Sequence, residues 1–182
     1  MNKTNMEQWI ASLFTTSAKK PLPILSFPSI QLMGCTVRDL ISDSHMQAQG
    51  MKRVADRVPS AAAVSLMDLS VEAECFGAPI RVADDEVPTC TAPVISVEAE
   101  EDERMEQAKA LAVPKVGAGR TALYIDAIRE ALTLITDRPV LAGVIGPFSL
   151  AGRLVSVTES MLYCYDEPEM MHVVLEKATE FI

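Results

Sequence analysis

An α/β fold built on a parallel sheet is what this sequence predicts, and three observations predict it. Ala61–Met67 (AAAVSLM) and Val140–Ile145 (VLAGVI) are short, apolar and bounded by Pro, Asp or Gly, as suits strands covered on both faces. Thr121–Thr136 places Tyr124, Ile128, Ala131 and Ile135 at helical spacing opposite exposed Asp126, Arg129 and Glu130. Strand-like and helix-like segments then alternate along the chain, which is the pattern of parallel strands joined by helical crossovers.

Met6–Phe14 reads as a short amphipathic helix with Trp9, Ile10 and Leu13 on one side. Pro21 and Pro23 end it, and Ile24–Phe27 follows as a brief apolar run suited to a first buried strand. Ser29–Thr36, containing Gly34, reads as a loop. Ser44 is placed to cap a helix over His45–Arg57, with Met46, Gly50 and Val54 inward and Gln47, Lys52, Arg53 and Asp56 outward. Asp68 ends the second strand candidate, Ser70 caps a helix over Val71–Phe76, and Gly77 stops it. Residues 78–100 are rich in Pro, Val and Thr, an extended excursion or hairpin; Glu98–Ala112 turns helical at its end, and Pro114–Gly119 breaks it. Arg138-Pro139 leads into the third strand, Gly146-Pro147 closes it, and a helix begins over Phe148–Val157. Asp166 caps a last helix with Pro168 in its first turn and a stripe of Met171, Val174, Leu175, Ala178 and Ile182.

Composition narrows the function classes. With 182 residues, 49% of them hydrophobic, the chain has enough material for one domain with a sizeable core. It contains no apolar run of the roughly 18 residues a membrane span needs. Sixteen Lys and Arg against 25 Asp and Glu give a net charge of −9, which offers nucleic acid or anionic lipid no electrostatic footprint. The four cysteines, Cys35, Cys75, Cys90 and Cys164, lie far apart without a CxxC, and the first residues lack a signal core and cleavage site. The expectation is a cytoplasmic protein with reduced thiols, each cysteine serving as a small buried hydrophobe.

The last helix runs to Ile182 with no Gly and no polar tail. About three βα units also leave a parallel sheet with open edges, which such sheets rarely tolerate. The expectation is that the missing remainder of a larger fold, or a second chain, covers those edges.

Three stretches together resemble the uroporphyrinogen decarboxylase superfamily: Asp68–Gly77 (DLSVEAECFG), Gly143–Gly152 (GVIGPFSLAG) and Tyr165–Met170 (YDEPEM). They fall in family order and spacing, and the likeness runs from about Pro21 onward. The resemblance implies a (β/α)₈ TIM barrel, of which 182 residues supply only the N-terminal half, since such barrels typically take about 250 residues. On that view residues 1–182 are a single domain, with 1–20 an N-terminal helical extension and 78–118 an insertion. The superfamily includes the haem-pathway decarboxylase and corrinoid-linked methyltransferases, which move a methyl group between a methylcobamide and a thiol or similar acceptor.

The family's decarboxylases carry Arg-Gln-Ala-Gly-Arg-Tyr after the first strand, whose arginines hold substrate carboxylates. The corresponding segment here, Pro28–Arg38 (PSIQLMGCTVR), has neither arginine in place, and Arg38 begins the next helix. A tetrapyrrole with eight carboxylates needs concentrated bidentate cations. The GPFSLAG string is also more like the methyltransferase branch. A methylcobamide, free or on a corrinoid protein, is thus the expected methyl carrier. Cofactor-free uroporphyrinogen decarboxylation and a non-catalytic half-barrel binding module are the alternatives.

Asp68 is the candidate catalytic residue, because it follows an apolar strand at the C-terminal mouth where barrel sites are built. By resemblance it binds pyrrole N–H groups in a decarboxylase; in a methyltransferase it would accept a hydrogen bond from substrate or orient a metal ligand. Local chemistry also allows it to cap the following helix. Gln31 on the first loop, Glu72 near a helix start, and Phe148 and Ser149 beside a helix N-terminus are the candidate substrate contacts. The family's methyltransferases hold zinc with one His and two Cys in the later half of the barrel, so zinc is expected only in a longer protein. His45 and His172 fall on outer helices, and Cys35 and Cys164 match no zinc spacing.

Overall fold

The computed structural model describes residues 4–182. Helix α1 (Met6–Thr15) buries none of its residues; residues 1–3 of the expected N-terminal extension lie outside the described residues. Helices α2 (Ser29–Met33), α3 (Val37–Ser42) and α4 (Ser44–Arg57) lead to strand β1 (Ala63–Val64). Helix α5 (Val71–Cys75), the hairpin β2 (Ile80–Arg81) and β3 (Thr89–Cys90), helix α6 (Glu101–Ala110) and helix α7 (Thr121–Leu134) lead to β4 (Val140–Leu141). Helices α8 (Pro147–Val155), α9 (Val157–Asp166) and α10 (Pro168–Phe181) follow.

The pairing that organises the molecule is parallel: Ala63 lies opposite Val140 and Val64 opposite Leu141. Each strand is preceded by a long helix, and those helices, α4 and α7, pack along one another over the sheet. Short side chains let them approach. Ala48 and Ala55 of α4, Ala63 of β1 and Ala131 of α7 are buried in one cluster, closed by Met51 and Ile135. The AAAV run therefore has a packing role beyond its apolar character.

The first expected strand, Ile24–Phe27, is not formed. Residues 21–26 do run beside 61–67 in the same direction, because the Ala61 N–H donates to the Pro21 carbonyl (2.8 Å) and the Met67 N–H to Ser26 Oγ (3.2 Å). Pro21 and Pro23 lack the donors a ladder needs, and Ile24 stays exposed. The ladder thus has two strands where three were expected.

Several local expectations change for identifiable reasons. The loop expected over Ser29–Thr36 contains α2, ended by Gly34 at φ +66°; Thr36 and Asp39 then form a reciprocal capping box on α3. These two short helices cover the face of α4 expected to be wet, so Gln47 is buried. Asp43, one residue before the expected Ser44, caps α4 by accepting from the Met46 N–H (2.8 Å). The helix expected over Phe148–Val157 breaks at Ser156, the sole non-glycine residue with positive φ among the described residues, at +79°. Asp166 belongs to α9, and Glu167 occupies the cap of α10 without a side-chain hydrogen bond to that helix. Ile182 lies outside the buried stripe of α10. Of the cysteines, Cys164 is exposed and the other three are half-buried, all as free thiols.

A second core joins α8 and α10 beneath the hairpin, with Leu150, Leu154, Met170, Met171 and Val174 fully enclosed and Phe76 edge-to-face with Phe181. Arg104 of α6 pairs with Glu167 and lies over the Tyr163 ring, 5.0 Å from its centre. No helix of the described residues is long and apolar enough to cross a membrane.

The alanine seam gives a direct test. Ala131→Leu forces extra methylenes between α7, α4 and β1 and is expected to cost about 1–3 kcal/mol by urea denaturation. An unchanged midpoint would show that the seam has spare room.

Candidate functional site

The loop leaving β1 carries the most heavily bonded carboxylate of the chain. Asp68 Oδ1 accepts from the Ser70 N–H (2.9 Å) and Ser70 Oγ (2.6 Å), while Oδ2 accepts from Arg120 Nη1 (2.7 Å) and the Tyr124 hydroxyl (2.9 Å). Its side chain is 0% exposed. Every lone-pair direction of the carboxylate is occupied by protein. Asp68 lies beyond the carboxyl end of β1 and organises the start of α5, with Ser70 donating to it instead of capping the helix itself.

Arg120 is the hub. Its Nε donates to Glu74 (2.6 Å) and its Nη2 to Ser70 Oγ (3.3 Å), so the guanidinium joins α5, the β1 exit and the start of α7. Burial works against its charge, but the hydrogen bond and the negative charge of Asp68 outweigh that and raise its pKa above the ordinary value. Burial, reinforced by the Asp68 charge, also pushes the Tyr124 hydroxyl far up. Tyr124 is therefore a neutral donor across the physiological range.

Glu72, the second residue of α5, is buried against the end of the other strand. Its Oε1 accepts from the Ile145 N–H (3.2 Å), and its Oε2 has no partner among the described residues. Burial pushes its pKa up and the Asp68 charge adds to that, against pulls from the Ile145 N–H and Arg153. A carboxyl with one free, enclosed oxygen and a raised pKa is suited to hold a proton. Asp68, Glu72 and Tyr124 together line a small cavity with Gly143, Val144 and Ile145, between the carboxyl ends of β1 and β4.

The other predicted contacts lie apart from that cavity. Gln31 is exposed on α2, and Phe148 and Ser149 are exposed in the first turn of α8, three and four residues beyond Ile145. The hairpin expected within 78–100 is present as β2 and β3. His45 Nδ1 contacts Glu130 (2.6 Å) on the outer helices, and His172 is exposed on α10. Among the described residues no three His, Cys, Asp or Glu side chains converge as a metal site would require.

Sequence reasoning passed over Arg120 and took Tyr124 for core alone. A signal was available. Arg120 is the N-cap of α7, where the helix dipole disfavours a cation, so a partner elsewhere in the fold had to account for it. Gly117 and Gly119, at φ +81° and +52°, make the turn that brings it there.

Comparison with known proteins places this arrangement. The family model described as uroporphyrinogen decarboxylase (URO-D) matches residues 28–182. Among solved structures, a methyltransferase from Methanosarcina mazei superposes with a TM-score of 0.77 at 19% identity, covering 98% of this chain and 53% of that one. The chain thus spans about half the length of that structure, with which it shares a fold. No curated protein matches the sequence.

Two outcomes test the site's electrostatics. Arg120→Met leaves the Asp68 carboxylate buried without its cation and is expected to cost about 3–5 kcal/mol in denaturant unfolding. Adding Asp68→Asn should recover part of that loss. Glu72, with its folded pKa raised from 4.5, holds a proton that the unfolded chain releases. Its contribution to stability therefore falls as pH rises from the unfolded value through the folded one. Glu72→Gln should become progressively more stable relative to the parent across that window, measured by urea unfolding at stepped pH.

Proposed function

This chain belongs to the uroporphyrinogen decarboxylase family, and from that premise we propose that it supplies the N-terminal half of a corrinoid-linked methyltransferase barrel. The observation that carries the choice of branch is the absence of a free arginine in the segment after the first extended run. Pro28–Val37 contains none. Arg38, the nearest, donates to Asp84 (2.9 Å) and to the Val82 carbonyl (3.0 Å), so it is committed to the hairpin side of the molecule. A substrate with many carboxylates would meet little positive charge there. The shared fold with a methyltransferase agrees with this reading.

Methyl transfer from a methylcobamide to a thiol moves the methyl carbon onto a thiolate sulfur while the carbon–cobalt bond breaks with its electron pair left on cobalt. This chain's own residues act around that event. Asp68 and Arg120 hold the β1 exit and the head of α7 in fixed register. Glu72 sets a buried carboxyl beside the strand ends, its pKa raised by burial, and Gln31, Phe148 and Ser149 offer exposed polar and aromatic contacts to the incoming molecules. The zinc that the family's methyltransferases use to favour a thiolate finds no ligand set among the described residues.

The test is methylcobalamin demethylation, followed by absorbance, using this chain joined to the remainder of its barrel and a panel of small thiols. Thiol-dependent loss of methylcobalamin is expected. Coproporphyrinogen formation from uroporphyrinogen, with no methyl transfer to any thiol, would overturn the reading in favour of decarboxylation.

A further inference from the structure

A second cavity, of about 380 Å³, opens between the β2–β3 hairpin and the junction of α8 with α9. That volume lies within the range of small-molecule sites. Its lining includes Ser70, Thr89, Cys90, Thr91, Arg153 and Ser156, and Arg153 is the one charged residue in it. We propose that this cavity binds a small molecule through an anionic group, a carboxylate, sulfonate or phosphate, gripped by the Arg153 guanidinium.

The pairing of the arginines singles Arg153 out. Four arginines are half-buried: Arg104, Arg120, Arg138 and Arg153. The first three each pair with carboxylates, Glu167 for Arg104, Asp68 and Glu74 for Arg120, and Asp137 for Arg138. Arg153 has no carboxylate within ion-pair distance among the described residues, in a chain carrying 25 acidic side chains and a net charge of −9. A cation partly withdrawn from water in such a chain would ordinarily take one of them.

Its geometry suits an external anion. Arg153 Nε donates to the Leu69 carbonyl (2.7 Å), which fixes the plane of the guanidinium; Nη1 and Nη2 have no acceptor among the described residues. Those two nitrogens form the fork that binds two oxygens of one anion. The Ser156 hydroxyl, on the same cavity, makes no hydrogen bond among the described residues and is a further donor. Thr89 and Thr91 already donate to the Val87 and Pro79 carbonyls, so they are not competing donors. Pro93 and Val157 give the remaining wall an apolar character suited to a short hydrocarbon body. Resting on the methyl-transfer reading, the bound molecule is the methyl acceptor, anchored by its charged end beside the β1 exit. The cavity's preference for an anion does not itself require that reading.

The test uses the 182-residue chain, labelled with ¹⁵N, and arginine Nε–Hε resonances during titration with acetate, methanesulfonate or inorganic phosphate at constant ionic strength. A saturable shift of Arg153 is expected with at least one probe, and the ranking separates a planar carboxylate from a tetrahedral oxyanion. Arg153→Gln should abolish saturation, whereas Arg53→Gln, on the exposed side of α4, should leave it intact. Arg153→Lys keeps the charge without the fork and should weaken binding by about tenfold or more. Ser156→Ala serves as a second reading should Arg153→Gln fail to fold, and a loss of affinity is expected there too. Absence of saturation with all three probes, or equal affinity in Arg153→Lys and the parent, would overturn the proposal. Because no methyl transfer is measured, that failure is distinguishable from failure of the proposed activity.

Discussion

The buried carboxylate of Asp68 holds the centre of this structure, because an enclosed charge obliges everything around it to supply hydrogen bonds. Four donors from three places in the chain answer it: the Ser70 amide and hydroxyl, Arg120 and Tyr124. Separations of about fifty residues are thereby closed at one point. The exit of β1, the start of α5 and the head of α7 cannot shift independently without leaving a charge unpaired in a dry site.

Around that anchor the electrostatics are graded. Arg120 is held charged by the anions it joins, Tyr124 is held neutral, and Glu72 is driven toward its protonated form by burial next to a negative neighbour. The strand-end cavity thus gathers the Asp68 carboxylate, the Tyr124 hydroxyl and the Glu72 carboxyl, with Arg120 bonded to Asp68. Beyond it, Arg153 is a half-buried arginine with no carboxylate in ion-pair distance among the described residues.

The legible parts of the fold were those written in local periodicity. The long helices α4 and α7, the apolar runs around β1 and β4, and the hairpin within 78–100 follow from spacing and composition over short windows. Helix α2 was not legible and α3 only through Arg38 at its start, since each is only a turn or two long and is held by caps and by packing on α4. Their presence reversed the expected exposure of Gln47. The expected first strand failed for a reason already in the sequence, two prolines without donors, which its apolar character outweighed in the reading.

For the site, the sequence determined where a carboxylate stands: Asp68 after an apolar strand, with Glu72 and Glu74 leaving the following helix on different faces. Which groups meet it was decided by tertiary structure alone. Arg120 lies more than fifty residues further on, separated by a hairpin, a helix and a glycine turn, and no local pattern encodes that approach. Residue type and spacing fix short-range conformation and the sign of charge at an element's end. The upward pKa shift of Glu72, the commitment of Arg120 and the half-buried setting of Arg153 depend on desolvation and on distant partners, which exist only once the chain has folded.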